Sequence, residues 1–416
     1  MFRSPRRRTP RAALLLVSVA LVGGAAASHA QQPDGWPEWL HEAMAKESAN
    51  LKATAVTAAD GRYRFRLAGN PAQPGAFDGG WFFESDIGSE APLECYLFDE
   101  DTDLATLVVN LAEVNIEANA EANAGPVGNR SIFALDAGAI DGAPYLALEW
   151  MYTVGEAPKA LLGFTKVRAA IQGGIVLACS HNYLGYRETF ADAFAEFVSS
   201  AQQPEADIAP YYEEVALQSL SGQRIGITRV TYSRDEEGDS LINMTSSALV
   251  PVGPASISSS DSSTISWSTA DGRLINVHSA DSENGELVNN LQLARNDNGD
   301  WVSSGIYQGK NIEQVIDGNL EPLSELGQMQ VVKSLFDSDA TEAAFTLWLA
   351  NADPTRFLEG KLIRENVEVI GQGTLSLGPL TFDARFDDDG ALSHATMRMG
   401  AAEMAVNRVW TQGRPW

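Results

Sequence analysis

The chain has 416 residues, with 55 acidic against 29 basic side chains and a formal net charge of −26. Such a field repels nucleic-acid phosphates and anionic headgroups, so nucleic acid is not an expected partner; neutral, cationic or metal-bearing partners suit it better. A hydrophobic fraction of 44% is that of a globular protein, and the length suits two domains.

Arg6, Arg7 and Arg8 precede an apolar run over residues 12–27, and Ser28-His29-Ala30 ends it in the small-x-small pattern of an export signal. The expected mature start is Gln31, which makes this a periplasmic or secreted protein. Thr9-Pro10-Arg11 departs from a twin-arginine signal, and no Cys follows the run to carry a lipid. No later stretch approaches the ~20 apolar residues of a bilayer crossing, so no membrane span is expected. The signal holds five arginines and no acid, so its removal leaves 24 basic against 55 acidic residues and a net charge of −31.

Trp36, Leu40, Ala43, Met44 and Glu47 fall at helical spacing and predict a short helix over 36–50, with Pro37 in its first turn. Strands are predicted over 62–67, 81–84, 93–98, 104–111, 131–135 and 145–152. The Glu, Ala and Asn repeats of 113–125 read as an exposed loop or a weakly held helix. Residues 157–170 read as helical and 175–183 as a strand. Residues 187–202 form the clearest amphipathic helix, with Tyr186, Phe190, Phe194, Phe197 and Val198 on one face. Residues 203–210, with Pro204 and Pro210, are the expected linker between an N-terminal domain (31–202) and a C-terminal one (211–416).

Beyond the linker, turn pairs recur at Glu237-Gly238, Asp271-Gly272, Asn284-Gly285, Asn298-Gly299, Asp317-Gly318 and Asp389-Gly390, which predicts an antiparallel meander. Leu380, Phe382, Ala384 and Phe386 alternate with polar neighbours, so one face is buried and one is wet. The serine-rich tract 256–266 reads as a mobile crossing between strands. One or two helices are expected within 322–351, with Asp337-Ser338-Asp339 capping a helix over 341–350.

Cys95 and Cys179 are the only cysteines, and in an oxidising compartment they are expected to form a disulfide, two buried thiols being the alternative. Cys179-Ser180-His181 places a thiol and an imidazole on one side of a strand, where they could join Cys95 on a soft metal; pairing of the cysteines removes that reading. The run from Asp99 to Asp103 begins like a calcium loop, but Leu104 and Asn110 stand where glycine and glutamate are needed, so a solvated turn is expected. Asp387-Asp388-Asp389-Gly390 reads as a hairpin tip. No nucleophile elbow, zinc-binding helix or phosphate loop occurs. No catalytic, cofactor or metal residues are assigned.

The strand 175–183 followed by a helix with Phe190, Phe194 and Phe197 resembles the close of the PsbP/Mog1-like fold, and the resemblance spans residues 60–202. It implies an antiparallel sheet flanked by helices. The section from Leu347-Trp348 to Trp410, with its strand over 380–386 and its Asp389-Gly390 turn, resembles periplasmic half-barrels of the LolA class. That similarity implies an apolar ligand held between sheet and helix, and neither family supplies catalytic residues.

The fold expected is thus α+β in two domains: an antiparallel sheet with flanking helices, then a curved, half-barrel-like β-meander with one or two covering helices. The expected function is non-enzymatic binding in the cell envelope, with an apolar ligand or an envelope protein as partner and Leu347, Trp348, Phe382 and Phe386 as candidate ligand lining. The alternatives are an envelope hydrolase using paired carboxylates and a structural or assembly partner.

Overall fold

The computed structural model describes residues 37–49, 51–58, 61–98, 102–202, 209–316, 318–366 and 369–416. The expected export signal, Asp99 to Asp101 of the calcium-like run, residues 203–208 of the expected linker and Asp317 lie outside them.

Helix α1 (Glu38–Met44) precedes a hairpin of β1 (Ala53–Thr57) and β2 (Arg64–Ala68). Next come β3 (Asn70–Pro71), β4 (Gly75–Phe77), β5 (Gly80–Asp86) and β6 (Leu93–Phe98), then α2 (Leu104–Ala122). The long strands β7 (Val127–Ile140), β8 (Ala143–Val154), β9 (Leu161–Gln172) and β10 (Ile175–His181) follow, and α3 (Arg187–Ser200) closes this half. They form one antiparallel sheet in the order β3-β5-β6-β10-β9-β8-β7, with β4 paired to β5. Alternation along β10 divides its two faces: Leu177 and Cys179 pack towards α3, Val176 and Ala178 towards α2. On the α3 face Phe65 stands edge-on to Phe83 and to Phe197, with centroids 4.8 Å apart in each pair.

The second sheet begins with β11 (Tyr212–Leu220), β12 (Gln223–Arg234), β13 (Ser240–Gly253) and β14 (Ser256–Ser268). It continues through β15 (Leu274–Glu283), β16 (Glu286–Arg295), β17 (Trp301–Tyr307) and β18 (Lys310–Ile316). After α4 (Glu325–Phe336) come β19 (Glu342–Leu347), β20 (Leu358–Ile363), β21 (Gln372–Leu377), β22 (Leu380–Phe386), β23 (Leu392–Met399) and β24 (Ala402–Gly413). β24 returns to pair with β11, which joins two meanders into a 14-stranded antiparallel sheet whose edges are β18 and β19; the path does not close into a barrel. The paired turns at Gly238, Gly272, Gly285, Gly299 and Gly390 all have positive φ. Gly272 is the tightest case: a Cβ there would lie 2.2 Å from Gly327 Cα, so the β14–β15 turn seats directly on the start of α4.

Four expectations are corrected. Residues 104–111, expected as a strand, form the first part of the helix α2, which continues through most of 113–125, where a weakly held helix was one of the two readings. Its apolar run is nearly continuous because both sides are covered, one by β8 and β9 and the other by β13 and β14, which hides the usual amphipathic period. The expected helix over 157–170 is instead mostly β9, the pairing partner of both β8 and β10. The expected helix over 341–350 is the strand β19; the helix lies upstream as α4, capped by Ser324, whose hydroxyl accepts the Gly327 amide at 3.3 Å. The serine-rich tract is no crossing but the strand β14, between β13 and β15 in the sheet, where tertiary pairing overrides serine's weak strand preference. The strands expected at 81–84, 93–98 and 145–152 and the helix at 187–202 are present within a few residues of their expected bounds.

The largest apolar core runs from Val167 and Val176 in the first sheet through Val108 and Ala112 of α2 to Leu249, Phe382 and Met404 in the second. α2 therefore works as a shared layer between the sheets.

Candidate functional site, a cleft beside α2

Where α2 starts, it stands between the β9–β10 hairpin and the outward face of β12 to β15. The three meet around a cleft of about 340 Å³. Its floor follows the strand pairing: Arg229 lies opposite Thr245, Thr245 opposite Ser263 and Ser263 opposite Ala280, and residues opposite one another share a face. The next row outward holds Thr231, Asn243 and Ile265, and the row inward holds Ser247, Asp261 and Ser282. Ile171, Gly174 and Val176 form the wall from the first sheet, and Leu104 the wall from α2.

Charge in this cleft is already committed. Asp261 accepts the amides of Ala105 at 2.9 Å and Thr106 at 3.0 Å, and the Thr106 hydroxyl at 3.0 Å, so a residue of the second sheet caps α2. Burial holds its carboxyl above the usual carboxylate range. Asp103 precedes α2 but makes no cap; its carboxylate instead takes the Ser282 hydroxyl at 2.6 Å. Asp281 accepts the amide groups of Asn351 at 2.9 Å and Asn289 at 3.0 Å, and burial raises it too. Asp261 pairs with Ser282 and Asp281 with Ser262, so the two acids point to opposite faces of the sheet. The Arg229 guanidinium is held by Glu213 at 3.0 Å.

A second cluster of titratable groups lies within the first sheet. Lys166 is fully buried, and its ammonium donates to the carbonyls of Tyr183 at 2.5 Å and Gly185 at 2.8 Å; burial lowers it to about 7. His181, its neighbour across the strands, is lowered to about 3, first by burial and then by Lys166. Its Nε2 lies 2.8 Å from the Ser89 hydroxyl, which itself donates to the Ala91 carbonyl, so the imidazole is the donor and Ser89 is not activated. Both groups are built into the sheet and do not face a cleft floor.

Cys95 and Cys179 are direct partners on β6 and β10 and are bridged, with Cα atoms 4.0 Å apart. That bond removes the thiolates a metal site with His181 would need, and among the described residues no group of three His, Cys, Asp or Glu is placed to hold a metal ion. A buried disulfide is compatible with an exported protein. No helix among the described residues is long and apolar enough to cross a membrane.

The four candidate lining residues are placed differently from a ligand surface. Leu347 and Phe382 are buried in the main core, and Phe386 packs on Phe336 with centroids 5.8 Å apart. Trp348 belongs to a separate core with Trp301, and its indole donates to the Pro354 carbonyl at 3.1 Å. None of the four lines the cleft beside α2. Sequence reasoning touches part of this lining, Asp103 and Leu104 in the calcium-like run and residues 261–263 and 265 in the serine-rich tract, but reads the first as a solvated turn and the second as a crossing, and gives neither a binding role. A local signal it passes over is Asp261, the lone charge in the 13-residue serine-rich strand β14.

No family model matches the chain, and no curated protein matches it either. Among solved structures it is similar to a β-barrel-like protein of a domain of unknown function, DUF1849, from Brucella abortus. That match has 14% identity and a TM-score of 0.34, covering 50% of this chain and 99% of that one. It is also similar to a cyanobacterial PsbP from Synechocystis, at 16% identity and a TM-score of 0.26, over 38% of this chain and 95% of that one. With both TM-scores below 0.5, neither fold nor residue role is carried over from either structure.

Proposed function

We propose that the protein is an exported, non-enzymatic binding protein of the cell envelope, and that it binds a small molecule in the cleft beside α2. The observation that carries this reading is the state of the cleft's charged groups. Asp103, Asp261 and Arg229 are each engaged by partners within the protein, while the cleft stays open at about 340 Å³, within the range of small-molecule sites. A hydrolase of the paired-carboxylate kind needs two acids facing each other across the substrate. Asp281 faces away from Asp261, and the nearer pair, Asp103 and Asp261, is occupied by the Ser282 hydroxyl and by the start of α2, so the binding reading is preferred. The packed positions of Leu347 and Phe382 favour this cleft over a ligand site inside the second sheet.

The test is native mass spectrometry of protein purified from its own envelope, alongside an Ala280→Trp variant that fills the floor. A small molecule retained by the wild type and lost from the variant supports the reading. Equal retention by both, or a protein partner in place of a small molecule, overturns it.

A further inference from the structure

Resting on the reading of this cleft as a ligand site, we infer that its ligand is an uncharged, hydroxyl-bearing single-chain amphiphile, of the class of monoacylglycerols and alkyl glycosides. Three features of the cleft point to that class.

The first is charge. A ligand carboxylate or phosphate would look to Arg229, whose Nε has no partner among the described residues; but the charge of that guanidinium is already balanced by Glu213 at 3.0 Å, and the chain's net charge of −26 opposes the approach of an anion. A ligand ammonium would look to Asp261 or Asp103. Asp261 is filled by the start of α2, and Asp103 by Ser282. A charged head brought into the cleft would lose water without gaining a free counter-charge, which is costly.

The second is the floor. Thr231, Asn243, Thr245 and Ser263 stand side by side on the outward face, and among the described residues their side chains have no hydrogen-bond partner. They offer neutral donors and acceptors on adjacent strands, about 4.8 Å apart, which suits a head with several hydroxyls.

The third is the wall. Ile171 and Val176 face this floor from the first sheet, and at the open end Ile265 and Leu287 remain 38% and 53% exposed. Aliphatic side chains bordering free hydroxyls recover burial only from a ligand that is itself polar on one part and alkyl on another. The lining contains no aromatic ring, which disfavours a bare sugar held by stacking.

The test uses three probes with the same alkyl chain, each below its micelle concentration: octyl glucoside, octanoate and octylammonium. Binding to the purified protein is read by isothermal titration, with wild type, Ala280→Trp and a Thr245→Val/Ser263→Ala double variant compared after thermal unfolding has shown that each is folded. Octyl glucoside should bind at least tenfold more tightly than either charged probe. The double variant should weaken it about tenfold, as loss of two hydrogen bonds implies. Octanoate or octylammonium binding as tightly as octyl glucoside, with Ala280→Trp still blocking, overturns the ligand class and leaves the cleft as the binding site. Failure of all three to bind wild type overturns the class as well. If the envelope-purified protein also keeps its ligand in Ala280→Trp, the underlying reading of the cleft fails with it.

Discussion

The carboxylate of Asp261 accepts the amide of Ala105 at 2.9 Å, although the two lie 156 residues apart. A helix is normally capped by its own preceding residue; here Asp103 turns to Ser282, and β14 of the other sheet supplies the cap. Order in the first turn of α2 therefore depends on the docking of the two sheets. Asp261→Ala should lower stability by about 1–3 kcal/mol, the cost of a lost cap together with buried amides left unpaired. Denaturant unfolding measures the loss, and hydrogen exchange should show it concentrated at Ala105 and Thr106. Uniform exchange across α2 and the sheets would contradict a cap at that end.

The Cys95–Cys179 bridge joins residues 84 apart in sequence. In the chain-entropy view a bridge closing a loop of that length stabilises by about 4.5 kcal/mol. The Cys95→Ala/Cys179→Ala variant should show a lowered denaturant midpoint and a higher m-value, because the unfolded chain without its cross-link exposes more surface. Because both cysteines are buried, a thiol reagent should fail to label the native protein even after mild reductant.

Acid should weaken the first sheet through His181. Its folded pKa of about 3 lies below the ordinary histidine value, so the unfolded chain binds a proton that the folded chain refuses as pH falls from about 6.5 towards 3. Stability contributed by the neutral imidazole is lost across that window. Buried acids such as Asp261 and Glu325, raised by burial, titrate with the opposite sign, so the informative quantity is the difference between wild type and His181→Gln. That difference should shift in favour of the variant as pH falls, in urea midpoints taken from pH 7 to 4. A constant difference would mean that His181 takes up its proton in the fold at the ordinary histidine pKa.

Lys166 gives the complementary signature. Lowered to about 7 by burial, it is deprotonated in the fold while still protonated in the unfolded chain up to about pH 10. The unfolded state then binds more protons, and stability should rise with pH above about 7. Lys166→Met should flatten this rise between pH 7 and 9, measured by the same urea midpoints, and leaves the Tyr183 and Gly185 carbonyls without their donor.

Phe382 separates a core role from a ligand role. Packed beside Leu375 and Ala384 in the main cluster, it should cost about 3–5 kcal/mol when replaced by Ala, the range for emptying a buried aromatic site. Affinity for octyl glucoside should be unchanged in the variant that still folds. A stable Phe382→Ala with altered binding would place the ligand inside the second sheet after all.

Much of the β architecture was legible without the structure, because its signals are local. Asn284-Gly285 and Asn298-Gly299 fix hairpins through backbone angles that few other residues tolerate, and the alternation of Phe382, Ala384 and Phe386 follows from a sheet buried on one side. Helix α3 was equally readable, since only one of its faces is covered and Phe190, Phe194 and Phe197 mark it. The sequence alone thus determined where the chain turns, which strands have a wet face and that two cysteines were available to pair. Only the tertiary structure decided that residues 104–122 are helical, because a helix covered on two sides loses the periodicity that would announce it. It decided likewise that a serine-rich tract is a strand, because pairing with β13 and β15 outweighs local preference. The cleft belongs to the same class of fact: Leu104, Val176, Arg229 and Asp261 come from four separate segments, and their meeting is set by how two sheets pack on one helix, a long-range burial that no short window of sequence encodes.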